Sequence, residues 1–473
     1  MICAGQKGWR FMQITQAWAE EILDKQRKFF ASGCTRELAF RHEQLKKLHA
    51  GILKYEDKLL EALKKDLGKC AFEGYASEIG FILSGISFAM KNLKRWMKPK
   101  ACHSPITLFR SQSKIINEPY GSVYIIGPYN YPFQLVMEPL VGAIAAGNCA
   151  VISPSENVPT VSGVIGELLA EIFPVNYICC VDGGIKNNTA LLQAGFDYIF
   201  FTGSERVGKI IYEAAAHRLI PVTLELGGKS PVIVHQSADI KTAARRIIWG
   251  KLLNAGQTCV APDYVFVHKS VKDALLEELK RAIKDFYGED IKHNPEYGRI
   301  VNQAHTRRLM EVLRADSQYI ITGGAADEST CYVEPAILCP GSDAACMCEE
   351  LFGPILPVLE YEEEEEAVGF ICSRAKPLAL YIFSNDKLFI RRMLSRIPSG
   401  GVSINDTVSH ILNPRLPFGG IGASGLGAYH GKYTFDTFSH RRSILIRSNH
   451  IKTEAAFPPF GSKKLRLVKK LMK

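Results

Sequence analysis

Residues 198–210 read YIFFTGSERVGKI. An apolar run meets Gly203, and helical spacing follows from about 208 to 217: a strand, a glycine turn and a helix. The unit recurs. SVYIIG (122–127) opens the series, CAVISPSE (149–156) precedes a helical stretch near 160–173, and NYICCV (176–181) precedes one near 187–194. Strands alternating with helices require crossover connections, and these build parallel sheet. PVIVH (231–235), YVFVH (264–268) and LALYIFS (378–384) continue the alternation to about 440, with a helix over 271–287. The turn itself is not a P-loop, because Ile210 stands where Gly203-x-x-x-x-Gly208-Lys209 would need Ser or Thr. It is also not G-x-G-x-x-G. It remains a strand-to-helix turn whose glycines let backbone approach a dinucleotide.

The flanking sequence is simpler. Residues 36–66 place apolar side chains at spacings of three and four among charges, which predicts one amphipathic helix or two. A further helix is expected over about 72–97. After Pro99 comes an extended segment, SKIINEPYG (113–121), and five consecutive glutamates (362–366) read as a solvated helix start. There is no internal repeat and no long linker. At 473 residues, 47% hydrophobic and 22% charged, the chain implies two or three domains of ordinary globular composition. The most apolar segment, 135–152, is broken by Glu138, Pro139 and Asn148 and does not read as a membrane span. The stretch MICAGQKGWRFMQITQAWAE (1–20) does not read as a secretory signal.

Thirteen cysteines in so large a chain include no C-x-x-C pair, so neither a disulfide framework nor a zinc site is expected. Reduced thiols in a cytoplasmic protein follow from the compartment rule. The net charge of +10 is uneven: residues 441–473 hold ten Lys or Arg against Glu454, leaving a nearly neutral body. That argues against nucleic acid binding. In the tail, KKLRLVKKLMK (463–473) mixes Leu465, Leu467, Val468 and Leu471 with lysines. The pattern fits contact with anionic lipid, and equally an amphipathic end docked on protein.

Four places carry residue types suited to chemistry. Asn130, in IIGPYNYPFQ (125–134), follows a strand end; it can form a turn or aim its amide at a reacting oxygen. Glu225 interrupts an apolar strand in TLELGGKSP (223–231), where an acid is costly unless it has a purpose. Cys259 sits among small and polar turn residues in NAGQTCVAPDYV (254–265), and Glu350 precedes an aromatic at the turn in CEELFGPILPV (348–358).

Together, in this order and spacing, these stretches closely resemble the aldehyde dehydrogenase superfamily. LPFGGIGASGLGAYHGKYTFDTFSH (416–440) further resembles its class 3 branch. The resemblance implies Cys259 as nucleophile, Glu225 as general base and Asn130 as the side-chain half of an oxyanion hole completed by the Cys259 N–H. It implies a dinucleotide, NAD with NADP as an alternative, held by Glu350 and Phe352 at the nicotinamide end. Gly203, Ser204, Val207, Gly208 and Leu226 fall at the adenosine and pyrophosphate end, with Ser153 and Glu156 near the adenine ribose; no metal is implied. The family usually has Lys where this chain has Ser153, which leaves one neutral hydrogen-bond donor and a poorer case for NADP.

The chemistry of these residue types supports the same roles. An aldehyde has no leaving group, so hydride loss needs a tetrahedral adduct first. Cysteine makes one well even when only a few per cent is ionised near pH 7. The adduct oxygen needs preorganised donors, and hydrolysis of the resulting thioester needs a base such as a desolvated carboxylate. A coenzyme A-acylating dehydrogenase and a non-catalytic relative are the alternatives. The resemblance implies a parallel-sheet (Rossmann-type) α/β dinucleotide domain (1–99 and 121–223) and an α/β catalytic domain (224–433). An oligomerisation arm with the basic tail (100–120 and 434–473) completes a homodimer by exchanging the spare strand 113–121. Aromatic or medium-to-long aliphatic aldehydes are the expected substrates, with the Asn130-flanking tyrosines in the channel and His410 and neighbouring residues before Pro417 either at its entrance or in a surface loop.

Overall fold

The computed structural model describes residues 14–450 and 457–472; the first thirteen residues of the stretch read for a secretory signal lie outside it, as do Lys452, Glu454 and Lys473 of the tail. The periodicity over 36–66 resolves as a single helix, Leu38–Leu67, which ends where Gly68 turns left-handed (φ 67°). The next helical stretch is interrupted. Ala71–Gly74 runs into a π-helical turn, Tyr75–Ile79, before Gly80–Trp96 resumes α geometry. Such turns cluster at functional positions, and this one carries Glu78.

A six-stranded sheet runs Gly425–Leu426, Val222–Glu225, Tyr198–Thr202, Ser122–Ile126, Cys149–Ser153, Ile178–Cys180. The last five strands are parallel, and Gly425–Leu426 pairs antiparallel to Val222–Glu225 from within the 224–433 segment. Every residue of the three central strands is buried. Crossover helices cover both faces, which is why these strands read as continuous apolar runs. The segment 135–152 joins this core as a wholly buried helix, Gln134–Ala146, followed by the strand from Cys149.

A seven-stranded sheet runs Ile320–Thr322, Ala336–Leu338, Ile355–Tyr361, Tyr264–His268, Pro231–Val234, Ala379–Phe383, Gly401–Ile404. Only its first strand is antiparallel. The glutamate run starts a helix as expected: Glu363 caps Glu364–Cys372 in a reciprocal capping box with Glu366.

One expectation is overturned. The segment 113–121 is not a spare edge, because Ser111–Pro119 is flanked within the chain by Lys100–Cys102 and by Ser439–Arg447. Nine paired positions with the latter make Ser439–Arg447 one edge of this sheet, and Lys100–Cys102, which pairs only with Ser113–Ile115, is the other. The tail's Ser462–Leu471 is a helix with no buried residue.

Candidate active site

The chain fills the six-stranded sheet outward from Ser122–Ile126 to Ile178–Cys180, then returns to the other side with Tyr198–Thr202. The direction of winding therefore reverses between Ser122–Ile126 and Tyr198–Thr202. Ligands of open parallel sheets bind beyond the carboxyl ends of strands at such a reversal. Asn130 lies four residues past Ile126, Ser153 ends its strand, Gly203 follows Thr202, and Glu225 ends the next strand. Register aligns Ile126 with Ser153 and Phe201, and Thr202 with Glu225, so all four positions share one edge. The seven-stranded sheet meets this edge with the loops entering two of its strands: Cys259 precedes Tyr264–His268, and Glu350 precedes Ile355–Tyr361.

The loop carrying Cys259 is built by a run of left-handed residues. Asn254, Ala255 and Gly256 have φ of 54°, 50° and 80°. A Cβ on Gly256 would lie 2.3 Å from the Gly353 carbonyl, so this glycine lets the cysteine loop and the E-E-L-F-G-P turn touch. Buried Gln257 then holds the loop: its amide donates to the Asn254 and Arg299 carbonyls (3.0 and 2.9 Å) and accepts from the Val301 N–H (2.9 Å). Asn130 is bound to the same loop. Its Nδ2 donates to the Gln257 carbonyl at 3.0 Å, and its own carbonyl accepts from Asn254 Nδ2 at 2.7 Å. Tyr131 and Thr258 join their hydroxyls at 2.7 Å.

Burial pushes the Cys259 thiol up to about 12, and the charges of Glu350 and Glu225 push it the same way. The N–H groups of Cys259 and Val260 face the sulfur and pull weakly in the other direction. The expectation of a few per cent thiolate is therefore not met in this state, and a base must take the proton. Glu225 is 2% exposed, and neither carboxyl oxygen has a protein hydrogen-bond partner. Desolvation raises it well above the usual carboxylate range, which favours its protonated form. Burial, reinforced by Asp263, likewise lifts Glu350 to about 8.

A cavity of about 720 Å³ ends on Cys259. Its wall is mostly apolar, including Phe81, Tyr131, Leu135, Trp249, Phe286 and Leu412. Of the two tyrosines beside Asn130, only Tyr131 lines it; Tyr129 packs on Phe352, with ring centroids 5.9 Å apart. Of His410 and its neighbours before Pro417, Val408, Ile411 and Leu412 line the cavity and His410 does not. Its Nδ1 meets Ser403 Oγ at 3.1 Å instead.

The residues expected to hold a dinucleotide gather at the edge defined above. Ser204 caps the helix Glu205–Ala216 through the Val207 N–H, and a Cβ on Gly203 would strike the Phe201 ring at 2.5 Å. A Cβ on Gly208 would meet Leu226 at 2.7 Å, packing helix against strand. The Glu350 carboxyl lies over Gly227 and accepts from the Gly228 N–H. Thr202 Oγ1, buried at its strand end, has no protein partner. Bare glycines, a helix N-terminus and an unsatisfied hydroxyl at the reversal point fit a dinucleotide. Ser153 departs from expectation: its hydroxyl donates to Asn188 Oδ1 at 2.7 Å, which also accepts from Tyr124, so its proton is already engaged. Glu156 is exposed beside it. Among the described residues no group of three or more His, Cys, Asp or Glu is placed to hold a metal ion.

Several residues that shape the site escaped the sequence reading. Lys69 and Glu78, both wholly buried, form an ion pair beneath the Asn130 loop. Lys69 also donates to the Asn130 carbonyl at 2.9 Å and lies 4.0 Å from the Tyr131 ring centroid. Glu78 accepts the N–H groups of Phe133 and Gln134 at 2.9 and 3.0 Å, capping the helix Gln134–Ala146 from outside. Lys229 binds Asp263 and the carbonyls of Cys346 and Glu349, while Asp263 accepts the Leu351 N–H, so the pair fixes the turn bearing Glu350. Lysines amid charged or polar neighbours look like surface until the fold buries them; only the K of E-L-G-G-K-S-P lay in a quoted motif.

Residues 3–444 match the aldehyde dehydrogenase family model. The chain is 52% identical to 4,4'-diaponeurosporen-aldehyde dehydrogenase of Staphylococcus aureus, over 92% of this chain and 95% of that one. It is 43% identical to aldehyde dehydrogenase family 3 member A2 of Rattus norvegicus (94% and 92% covered). To the dimeric NADP-preferring aldehyde dehydrogenase of the same organism the identity is 44% (94% and 98% covered). The solved structure of Staphylococcus aureus AldH in a substrate-bound state superposes with a TM-score of 0.94 at 51% identity, covering 96% of this chain and 99% of that one. The chain belongs to the aldehyde dehydrogenase family, and it oxidises aldehydes with NAD or NADP.

Proposed function

We propose that Cys259, Asn130 and Glu225 carry this oxidation and that its substrates are apolar aldehydes, aromatic or of medium-to-long chain. The observation that carries the reading is the apolar cavity ending on Cys259, with the Glu225 charge acting on the same sulfur. At about 720 Å³ it falls in the range that encloses a ligand of drug size.

The sulfur adds to the aldehyde carbon, forming the C–S bond as the carbonyl π pair moves onto oxygen. The thiol proton passes toward Glu225. Asn130 Nδ2, which carries two hydrogens and spends one on Gln257, offers the other to the adduct oxygen together with the Cys259 N–H. A dinucleotide, which Glu350 and Phe352 would hold, would supply the acceptor for the hydride. Glu225 gives the thiol proton up to solvent and, ionised again, takes a proton from the water that attacks the thioester; the acid leaves, and the sulfur set free as thiolate regains its proton from Glu225. A buried carboxylate with no protein partner suits that task better than transfer to coenzyme A, so acid should form without coenzyme A.

The same reading prefers NAD, because Ser153 brings no charge and Glu156 would repel a 2′-phosphate. It divides the chain as the resemblance implies and makes the enzyme a homodimer through the free edge of Ser439–Arg447. It keeps the protein in the cytoplasm, where the twelve described cysteines, all free, stay reduced. A steady-state screen of aldehydes by chain length and aromaticity, with both cofactors, tests it. The reading predicts kcat/KM rising with apolar size and lower KM for NAD. A preference for acetaldehyde-sized or charged substrates would overturn it.

A further inference from the structure

The family match ends at residue 444, so the tail beyond it needs its own explanation. Its helix, Ser462–Leu471, has five Lys or Arg and no acid. At about 100° per residue, Leu465, Leu467, Val468, Leu471 and the following Met472 fall in one arc of about 160°. Lys463, Arg466, Lys469 and Lys470 occupy the opposite arc. Lys464 alone falls among the apolar residues, and its ammonium reaches back to the Phe457 carbonyl at 2.7 Å. The apolar residues are exposed, as are Phe457 and Phe460 just ahead of the helix, at 60% and 74%. No helix among the described residues is long and apolar enough to cross a membrane.

We propose that this helix docks the enzyme on an anionic lipid surface, lying in the interface with its leucines in the acyl boundary and its lysines against headgroup charge. Three features point to lipid. The cations flank the apolar arc as they do in interfacial helices. The positive charge is concentrated here while the body is nearly neutral, so attraction to a negative leaflet is local and strong. The phenylalanines add apolar area where the chain enters the helix. A site on protein would need a complementary acidic groove, and no residue of the helix is buried against the described chain. The inference goes beyond the substrate reading and stands or falls without it, although apolar aldehydes partition into the same lipid.

The test is sedimentation of the full chain with vesicles of phosphatidylglycerol and phosphatidylcholine at 30:70, beside pure phosphatidylcholine. Binding to the anionic vesicles is expected, with little to the neutral ones and marked weakening in 0.5 M NaCl. Each basic residue at such a surface is worth about 1 kcal/mol, or about fivefold. The double variant Lys469→Gln/Lys470→Gln should therefore bind about 30-fold more weakly. Leu465→Ser/Val468→Ser keeps the charge and should lose at least tenfold, which separates insertion from adsorption. Removing residues 449–473 should abolish binding while leaving oxidation of a short soluble aldehyde unchanged. No binding to anionic vesicles, equal binding by the truncated chain, or truncation that changes the oligomeric state without vesicle binding by the parent would each overturn the proposal.

Discussion

The buried pair Lys69–Glu78 offers a direct probe of how the fold holds Asn130. Replacing Lys69 by Met keeps volume but removes the ammonium from a wholly buried site. Glu78 is then left in the core with only the Phe133 and Gln134 N–H groups and a helix N-terminus as partners. Breaking a buried pair from one side costs about 3–5 kcal/mol. The two remaining donors place this case near the lower end, about 3 kcal/mol. The Asn130 carbonyl also loses one of two clamps and keeps only Asn254 at 2.7 Å. Complete loss of an oxyanion donor costs about 10²–10³ in rate, so a loosened donor should cost about 10–100-fold in kcat with little change in KM.

The second step separates stability from catalysis. In Lys69→Met/Glu78→Gln the buried charge is gone, while the carbonyl of the substituted side-chain amide can still accept from the helix N-terminus. Urea denaturation should show most of the lost stability restored, but kcat should stay low because the clamp on Asn130 is still absent. A single variant within about 1 kcal/mol of wild type, well short of the cost of an unpaired buried charge, or a double variant that regains full kcat, would refute the reasoning.

Cys259→Ser should cut NADH production from any aldehyde by at least about 10³-fold, measured at 340 nm; retained activity removes the proposed nucleophile. Glu225→Gln should slow both the first turnover of NADH, in which the thiol proton needs an acceptor, and the steady state, by about 10²–10⁴-fold, seen by stopped flow; wild-type kinetics would exclude the base. Because the folded pKa of Glu225 lies above its unfolded value near 4.3, the folded protein binds that proton more tightly. Stability held below the unfolded value is then lost as pH rises through the folded one. Glu225→Gln should accordingly be more stable than wild type at pH 8–9 and no more stable near pH 4, measured by thermal unfolding. Ser153→Lys should bind the dinucleotide about tenfold more tightly, the scale of one charge-assisted hydrogen bond, with the larger gain for NADP; fluorescence titration showing no gain, or NADP preferred by the wild type, would contradict the cofactor reading. Ala76 lines the cavity, and Ala76→Trp should lower kcat/KM for a twelve-carbon aldehyde more than tenfold while sparing a two-carbon one.

How much of this was legible in the sequence depends on the range of the forces involved. The parallel strands could be read because burial on both faces makes each one apolar without interruption, and the turns because Gly203 and Gly256 answer local demands for close backbone approach. Cys259 and Glu225 stood out because each violates its surroundings: a thiol in a polar turn, an acid in an apolar strand. The pairing of Ser111–Pro119 could not be read, since its partner Ser439–Arg447 lies more than three hundred residues away and nothing local names it. Lys69 and Glu78 were hidden for a different reason. A lone lysine between two helices and a glutamate in a helix both resemble solvated surface, and only the tertiary fold turns the pair into buried supports of the Asn130 loop. Ser153 shows the limit within a recognised motif. Its residue type implied a donor for the ribose, but its proton is engaged by Asn188, a residue that enters the site only through the crossover helix Ile185–Ala194. The proposed reacting residues are thus announced by local misfit, whereas the residues that would aim them are supplied by long-range closure, so variants of the second group should test the proposed catalysis more severely than variants of the first.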